Sequence, residues 1–345
     1  MTQFEKDLQT TQEELENWIK ALPDTVISET NGYVTTLTSP KTTLDIHIVS
    51  QHDKTTQELR TIKQNAYDQG KEIYYIYPWE NERLSHIFQH FTSKLGLDTR
   101  KFAAKRLAVS KVTNEIGNEF SKKYHIQKNA SGAEKVSYAL KIKDTGEILA
   151  VQQYCKYRWS MKTQLESPNI WEGLRLAIKP GVHIYGAASR LQKEFVKDKK
   201  PTHIISYVNY SHSLGSYKEA QGFTLLDTNK EDAYMWVLNT DSPKDVKVID
   251  KEGKERHPDL QKVLETPYIN PNRMAGSFGA GVGQTFYGGK LGSRKELKEK
   301  GNEFYHNDMI LEEIGYTKVS TAGQLKWVLE LPEQEPEEDF TLFSL

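Results

Sequence analysis

Between residues 107 and 238 the apolar runs follow one order that few folds accommodate. Residues 107–112 read as a short strand and 115–124 as a helix. Residues 136–142 and 148–154 are two β-rich runs joined by Asp144-Thr145-Gly146, which suits a hairpin turn. A strand at 174–178, a helix at 186–196 and a strand at 203–207 follow. A short helix at 216–221 stops at Gly222, and 233–238 reads as the closing strand. This succession predicts a mixed sheet covered by helices, an α/β (α+β) fold.

The flanking stretches predict two further units. Upstream, Phe4, Leu8, Leu15, Trp18, Ile19 and Leu22 share one helical face. Thr11 with Glu14 three residues on fits a capping box, which sets the start of the regular helix there. A hairpin over 33–37 and 44–49, a helix over 57–69, a strand over 73–77 and a helix over 84–95 complete a small α/β module. Downstream come a hairpin within 246–256, a segment rich in glycine and aromatics at 270–292, a helix over 296–314 and a last hairpin over 316–319 and 325–329. The glycines of 270–292 follow no strand and match neither a dinucleotide nor a Walker loop, so a loop that orders on a partner is expected. The domains are therefore set at 1–104, 105–240 and 241–345, the last ending in the acidic tail Glu330, Glu333, Glu335, Glu337, Glu338, Asp339.

At 345 residues the chain can bury more than one core. No apolar run approaches the roughly 20 residues a bilayer helix needs, and the first twenty residues are polar and acidic. No membrane partner and a cytoplasmic setting are expected. Cys155 is the only cysteine, which excludes an internal disulfide and predicts a small apolar residue on a strand.

A formal net charge of −1 conceals segregation. Residues 94–128 hold nine Lys/Arg against three acids, and 141–200 hold twelve against six. Such stretches can build a face for phosphate, and Lys101, Lys105, Arg106, Lys122, Lys123, Lys156, Arg158, Arg190 and Lys193 are the candidate nucleic-acid contacts. They are expected to converge on one positive trough.

Two local signals in the middle unit resemble GNAT-type N-acyltransferases. Ile178-Lys179-Pro180-Gly181-Val182-His183-Ile184-Tyr185-Gly186-Ala187-Ala188 lies between a strand and a helix. In acyltransferases such a turn offers backbone N–H groups to a pyrophosphate, so Gly181, Gly186, Ala187 and Ala188 form a candidate anion-binding turn. Tyr217-Lys218-Glu219-Ala220-Gln221-Gly222-Phe223 resembles the Y-x-x-x-G-F ending of these enzymes. Acyl transfer would need a base and a proton donor, for which Tyr217, His212 and Glu172 are the candidates, with acyl-CoA as the cofactor. The same anion position near Arg190 and Lys193 equally suits a DNA phosphate.

A more specific resemblance joins several stretches. Residues 120–127 (FSKKYHIQ), 182–191 (VHIYGAASRL), 203–207 (HIISY), Gly215-Ser216-Tyr217 to Gly222-Phe223, and Gly315-Tyr316-Thr317-Lys318-Val319 to Gly323-Gln324-Leu325-Lys326-Trp327 are similar to the EDxHD (Vsr-like) homing endonucleases of phages. The resemblance implies a small restriction-endonuclease-like module, then a GNAT-like domain, then a helix-hairpin extension, in a phage-encoded protein that binds double-stranded DNA in the host cytoplasm. It implies Glu14 and Asp45 as catalytic carboxylates that would hold Mg²⁺. The family's histidine-bearing E-Y-N-G-x-Y-W-H segment has no counterpart, and His52 and Asp53 stand nearest to its place. The expectation is a DNA-binding protein with nuclease activity weak or lost. The alternatives are an active Mg²⁺-dependent endonuclease, an acyltransferase, and a phage protein docking on a host or phage protein through 270–292 and the acidic tail.

Overall fold

The computed structural model describes residues 1–50, 54–127, 132, 134–157, 169–227, 233–250, 252–271, 282–288 and 307–332. Helix α1, Gln3–Lys20, starts eight residues before the expected cap: Thr2 and Glu5 form the capping box. Thr11 is instead buried in the helix, where its hydroxyl contacts Asp7 O at 2.7 Å and Asn81 Oδ1 at 2.6 Å. Both positions read T-x-x-E, and the side-chain environment chose between them. Strands β1 (Ile27–Asn31), β2 (Val34–Thr38) and β3 (Thr43–Ile48) run antiparallel, and β4 (Glu72–Ile76) joins β3 in parallel through helix α2, Thr56–Asp68. Exposed along its whole length, β1 offers no apolar alternation by which a sequence could show it.

Helix α3 (Leu84–Lys94) leads into strand β5 (Arg100–Ala103), a 3-10 turn at Ala104–Arg106, strand β6 (Ala108–Val112) and helix α4 (Asn114–Tyr124). The expected hairpin is β7 (Val136–Lys141) with β8 (Ile148–Lys156). Then come β9 (Ile170–Ile178), β10 (Val182–Tyr185), helix α5 (Ala187–Lys199), β11 (His203–Asn209), the short helix α6 (Ser216–Glu219) and β12 (Thr224–Asp227). Strand β13 (Tyr234–Leu238) is followed by β14 (Val248–Ile249) and β15 (Glu255–Arg256), α7 (Leu260–Leu264), β16 (Tyr268–Ile269), α8 (Val282–Phe286), α9 (Asn307–Ile314), β17 (Tyr316–Ser320) and β18 (Gln324–Glu330).

The protein is thus mixed α/β with several sheets. Its contacts divide it into two units, neither continuous in sequence, where three consecutive domains were expected. The first comprises Met1–Ser85, Asn209–His212 and Asn229–Gly323; the second comprises His86–Val208, Ser213–Thr228 and Gln324–Leu345.

In the second unit a seven-stranded sheet runs β12-β18-β11-β9-β8-β7-β6. Its antiparallel half is β6 to β9; β9 and β11 are parallel. Adjacent residues of a strand point to opposite faces, and the two helices divide them accordingly. Ser137 and Gln153 face α4, with Ser121 Oγ donating to Gln153 Oε1 at 2.9 Å. Tyr138 and Tyr154 face α5, where both pack on Phe195, Tyr154 in a stack at 3.8 Å. Cys155, 4% exposed on β8, packs on Leu174 as the small apolar residue expected of it.

Three expectations are corrected. Residues 234–238 do not close this sheet; β13 pairs with β16 and β17 in the first unit. The last hairpin does not form: β17 pairs with β13, whereas β18 enters the second unit's sheet between β12 and β11. Part of the glycine-rich segment is core rather than a loop awaiting a partner, because Val282, Phe286 and Tyr287 are buried with Trp236, Leu311 and Tyr316. Residues 272–281 and 289–306 lie outside the described residues.

Candidate nucleic-acid interface

The sharpest local construction in the second unit is a two-stranded parallel ribbon. Strand β10 pairs in register with β5: Val182 with Arg100, His183 with Lys101, Ile184 with Phe102 and Tyr185 with Ala103. Val182 and Ile184 are buried, so His183, Tyr185 and Lys101 share the outward face. The two strands end side by side. From β5 the chain enters the Ala104–Arg106 turn beside α5, with Lys105 and Arg106 exposed. From β10 it enters Gly186 and α5.

Gly186 caps α5 in the left-handed region, at φ 76°, where a Cβ would be strained. No side chain caps the helix, and its first backbone bond is Arg190 N to Gly186 O at 3.0 Å. The free N–H groups and the helix dipole favour an anion at this end. Gly181, also left-handed at φ 70°, turns the chain so that its carbonyl accepts from Arg100 N at 3.0 Å. An ion-pair triad anchors the ribbon at its start. Glu147 accepts from both Arg100 nitrogens at 3.0 and 2.8 Å and pairs with Lys179 Nζ at 2.6 Å. These hydrogen bonds hold its carboxyl down at about 2. Under His183 lies Asp98, only 7% exposed, with its Oδ2 3.9 Å from Nδ1 and 2.5 Å from Ser93 Oγ.

The predicted basic residues divide among three places. Lys101 lies on β5 opposite His183, Lys105 and Arg106 lie in the turn that packs on α5, Arg190 is in the first turn of α5, and Lys193 is about a turn farther along it. Among the described residues none of these five is in an ion pair. Lys122 and Lys123 end α4, on the opposite face of the sheet from α5. Lys156 bonds Asn169 Oδ1 at 2.9 Å beside Trp171, and Asn169 in turn donates to Lys199 O and Lys200 O at the far end of α5. One trough holding all of them is therefore not formed; strand alternation separates α4 from α5, and helix length separates Lys156 from Arg190. Arg158 lies outside the described residues.

In the first unit, Glu14 is exposed on α1 and Asp45 lies on β3. Asp45 Oδ1 accepts from Thr36 Oγ1 across the β2–β3 pair at 2.7 Å. His52 and Asp53 lie outside the described residues. Among the described residues no three His, Cys, Asp or Glu side chains gather to hold a metal ion, so Glu14 and Asp45 do not form the expected Mg²⁺ site there. Sequence reasoning passed over His47, two residues from Asp45 on the same face, where burial lowers its pKa and the ring meets Tyr75 edge-on at 5.6 Å.

The acyl-transfer candidates also separate. His212 belongs to the first unit, where Nε2 lies 3.8 Å from Glu80 Oε1. Glu172 on β9 has its pKa raised by burial, and Tyr157 and Tyr207 hydroxyls meet nearby at 3.3 Å. Four residues, not three, separate Tyr217 from Gly222, so Lys218 occupies the tyrosine's place in the Y-x-x-x-G-F pattern. Its ammonium lies 4.5 Å over the Phe223 ring, and burial brings its pKa down to about 8.

No family model and no curated protein matches the chain. Among solved structures it is similar to the GNAT domain of S. lividans PAT, at 13% identity and a TM-score of 0.28, over 36% of this chain and 85% of that one. So loose a likeness assigns neither a family nor an activity. Among the described residues no helix is long and apolar enough to cross a membrane.

Proposed function

We propose that this chain is a nucleic-acid-binding protein related to phage homing endonucleases, whose second unit uses a GNAT-like scaffold to hold phosphate. One observation carries the reading: the in-register pairing of β5 with β10 puts the exposed Lys105–Arg106 turn against α5, whose start is uncapped and whose first turn carries Arg190. Positive side chains and backbone N–H groups at one edge are the chemistry by which phosphates are positioned. Fluorescence anisotropy with labelled duplex DNA tests it. Affinity is expected to fall linearly on a log–log salt plot, with a slope of about −0.9 per neutralised phosphate. Lys105→Glu with Arg106→Glu should flatten that slope. A salt-independent affinity, or one the double variant leaves unchanged, defeats the reading.

A second reading, acyl-CoA binding, is favoured by the parting of β9 and β11. Their pairing ends at Gly173 and Ser206, although the strands continue to Ile178 and Asn209. That gap, with the Gly186 turn following β9 and β10, fits a thioester and its pyrophosphate. The bound cofactor would supply an activated acyl group, with Glu172 available as a proton acceptor. Calorimetry with acetyl-CoA decides: heat and a raised melting temperature support this reading, and neither would remove it.

A further inference from the structure

We infer that the outward face of the β5–β10 ribbon is a stacking platform for an unpaired base, so that its ligand is a single-stranded rather than a fully duplex nucleic acid. The inference rests on the nucleic-acid reading above and names the form of the ligand.

Three features support it. Tyr185 is 59% exposed at the end of β10, although an alternating strand end does not need a large ring in solvent. The ring is also oriented: His183 meets it edge-on, with centroids 4.4 Å apart and planes at 70°. His183 is in turn set over the buried Asp98, whose Oδ2 is fixed by Ser93. A ring ordered this way loses little freedom when a planar partner lies on it. Cations stand along the chain on either side of it, Lys101 opposite His183 on β5, Lys105 and Arg106 in the turn after β5, and Arg190 in the first turn of α5. Of the two acids placed at the ribbon, Glu147 is paired with Arg100 and Lys179, and Asp98 is covered.

Charge complementarity selects a polyanion, and the oriented aromatic ring selects its form. Inside a duplex the base faces are occupied by their neighbours, so a surface tyrosine has no π-face to meet. A single strand, an overhang or a splayed base presents one. A ribbon of two strands also fits a major groove, where Tyr185 would touch base edges of the duplex. The two modes respond differently to loss of the ring.

The test is fluorescence anisotropy of the full chain with a labelled single-stranded oligonucleotide and with the duplex of the same sequence. Wild type is compared with Tyr185→Ala, Tyr185→Phe and the Lys105→Glu/Arg106→Glu double variant. Tyr185→Ala should weaken single-strand binding about 5- to 150-fold, the range for one stacked base, and change duplex binding less than about twofold. Tyr185→Phe should retain single-strand affinity within about twofold, and an unchanged melting temperature shows that the exposed site tolerates alanine. Equal loss on both ligands puts the ribbon in the major groove and overturns the inference. So does a Tyr185→Ala variant that binds single strands like wild type while the charge-reversed variant binds neither form. If the charge-reversed variant binds both forms like wild type, the nucleic-acid reading itself falls, and this inference with it.

Discussion

Gly117 of α4 sits against Ser137 of β7 so closely that a Cβ on the glycine would stand 2.3 Å from Ser137 Oγ and 2.8 Å from its Cβ. The close approach lets Ser121, Gln153 and Asn118 complete a hydrogen-bonded seam between helix and sheet. In an ordinary helix interior, alanine in place of glycine gains about 1 kcal/mol. Here overpacking outweighs that gain, and Gly117→Ala should destabilise by about 1–3 kcal/mol. Adding Ser137→Gly should recover part of the loss, because it removes the two closest atoms but leaves Gln153 Nε2 at 3.0 Å and gives up the hydroxyl that Gln153 bonds. Thermal unfolding of the two variants checks this.

What the sequence made legible was local. The β7–β8 hairpin is legible because Asp144-Thr145-Gly146 is turn chemistry, and Gly146 does adopt φ 71°. Position 186 is legible through the resemblance of 178–188 to an acyltransferase turn, and Gly186 does start α5 at φ 76°. What escaped depended on distant partners. Residues 316–319 and 325–329 look like a hairpin because they adjoin, yet their partners lie about 80 and 100 residues upstream, at Tyr234–Leu238 and Thr224–Asp227. Chain position groups the basic residues into two stretches, whereas the parity of Ser137 and Tyr138 decides which face α4 and α5 occupy. The ribbon is not legible, because a parallel pair between residues 100–103 and 182–185 leaves no local trace.

Glu147 gives the second unit a dependence on acid. Its pKa in the folded protein is about 2, below the ordinary carboxylate value, because Arg100 and Lys179 hydrogen-bond the charged form. A carboxylate depressed in this way stabilises the fold above its unfolded pKa, and the contribution is lost as pH falls through about 2. Glu147→Gln should therefore melt earlier than wild type at neutral pH. The difference should narrow below the ordinary carboxylate range and vanish near the bottom of that window. Melting temperatures measured from pH 7 downward check it; a constant difference would assign the loss to shape rather than charge.

Lys218 should show the opposite sign. Burial lowers its folded pKa to about 8, below that of the unfolded chain, so its charge opposes folding at neutral pH. Stability should rise as pH climbs from about 8 toward the lysine value, where the unfolded state alone still binds the proton. Lys218→Met should then gain about 1–2 kcal/mol at pH 7, the Phe223 ring contact offsetting part of the cost of burial. The gain should be gone above the unfolded lysine pKa. Urea unfolding at pH 7 and at pH 10.5 separates this from a simple packing effect, which would persist at both.

The placement of β18 determines which fragment can fold. A piece spanning 105–240, the middle domain as the sequence reads it, lacks both β5 and β18. Without β18 the sheet is cut between β11 and β12, and Trp327, 2% exposed and packed over Gly215, is missing from the core. Losing a buried tryptophan alone costs about 3–5 kcal/mol, and β11 would become a bare apolar edge. That fragment should give no cooperative unfolding transition and should aggregate. Antiparallel pairing sets Asp227 opposite Lys326, so the end of β12 and the start of β18 are hairpin neighbours. A chain of 86–228 joined by a short Gly-Ser turn to 324–332 should therefore fold, with dispersed amide resonances and a single melting transition. If 105–240 folds equally well without those added residues, the assignment of β18 to this sheet is wrong.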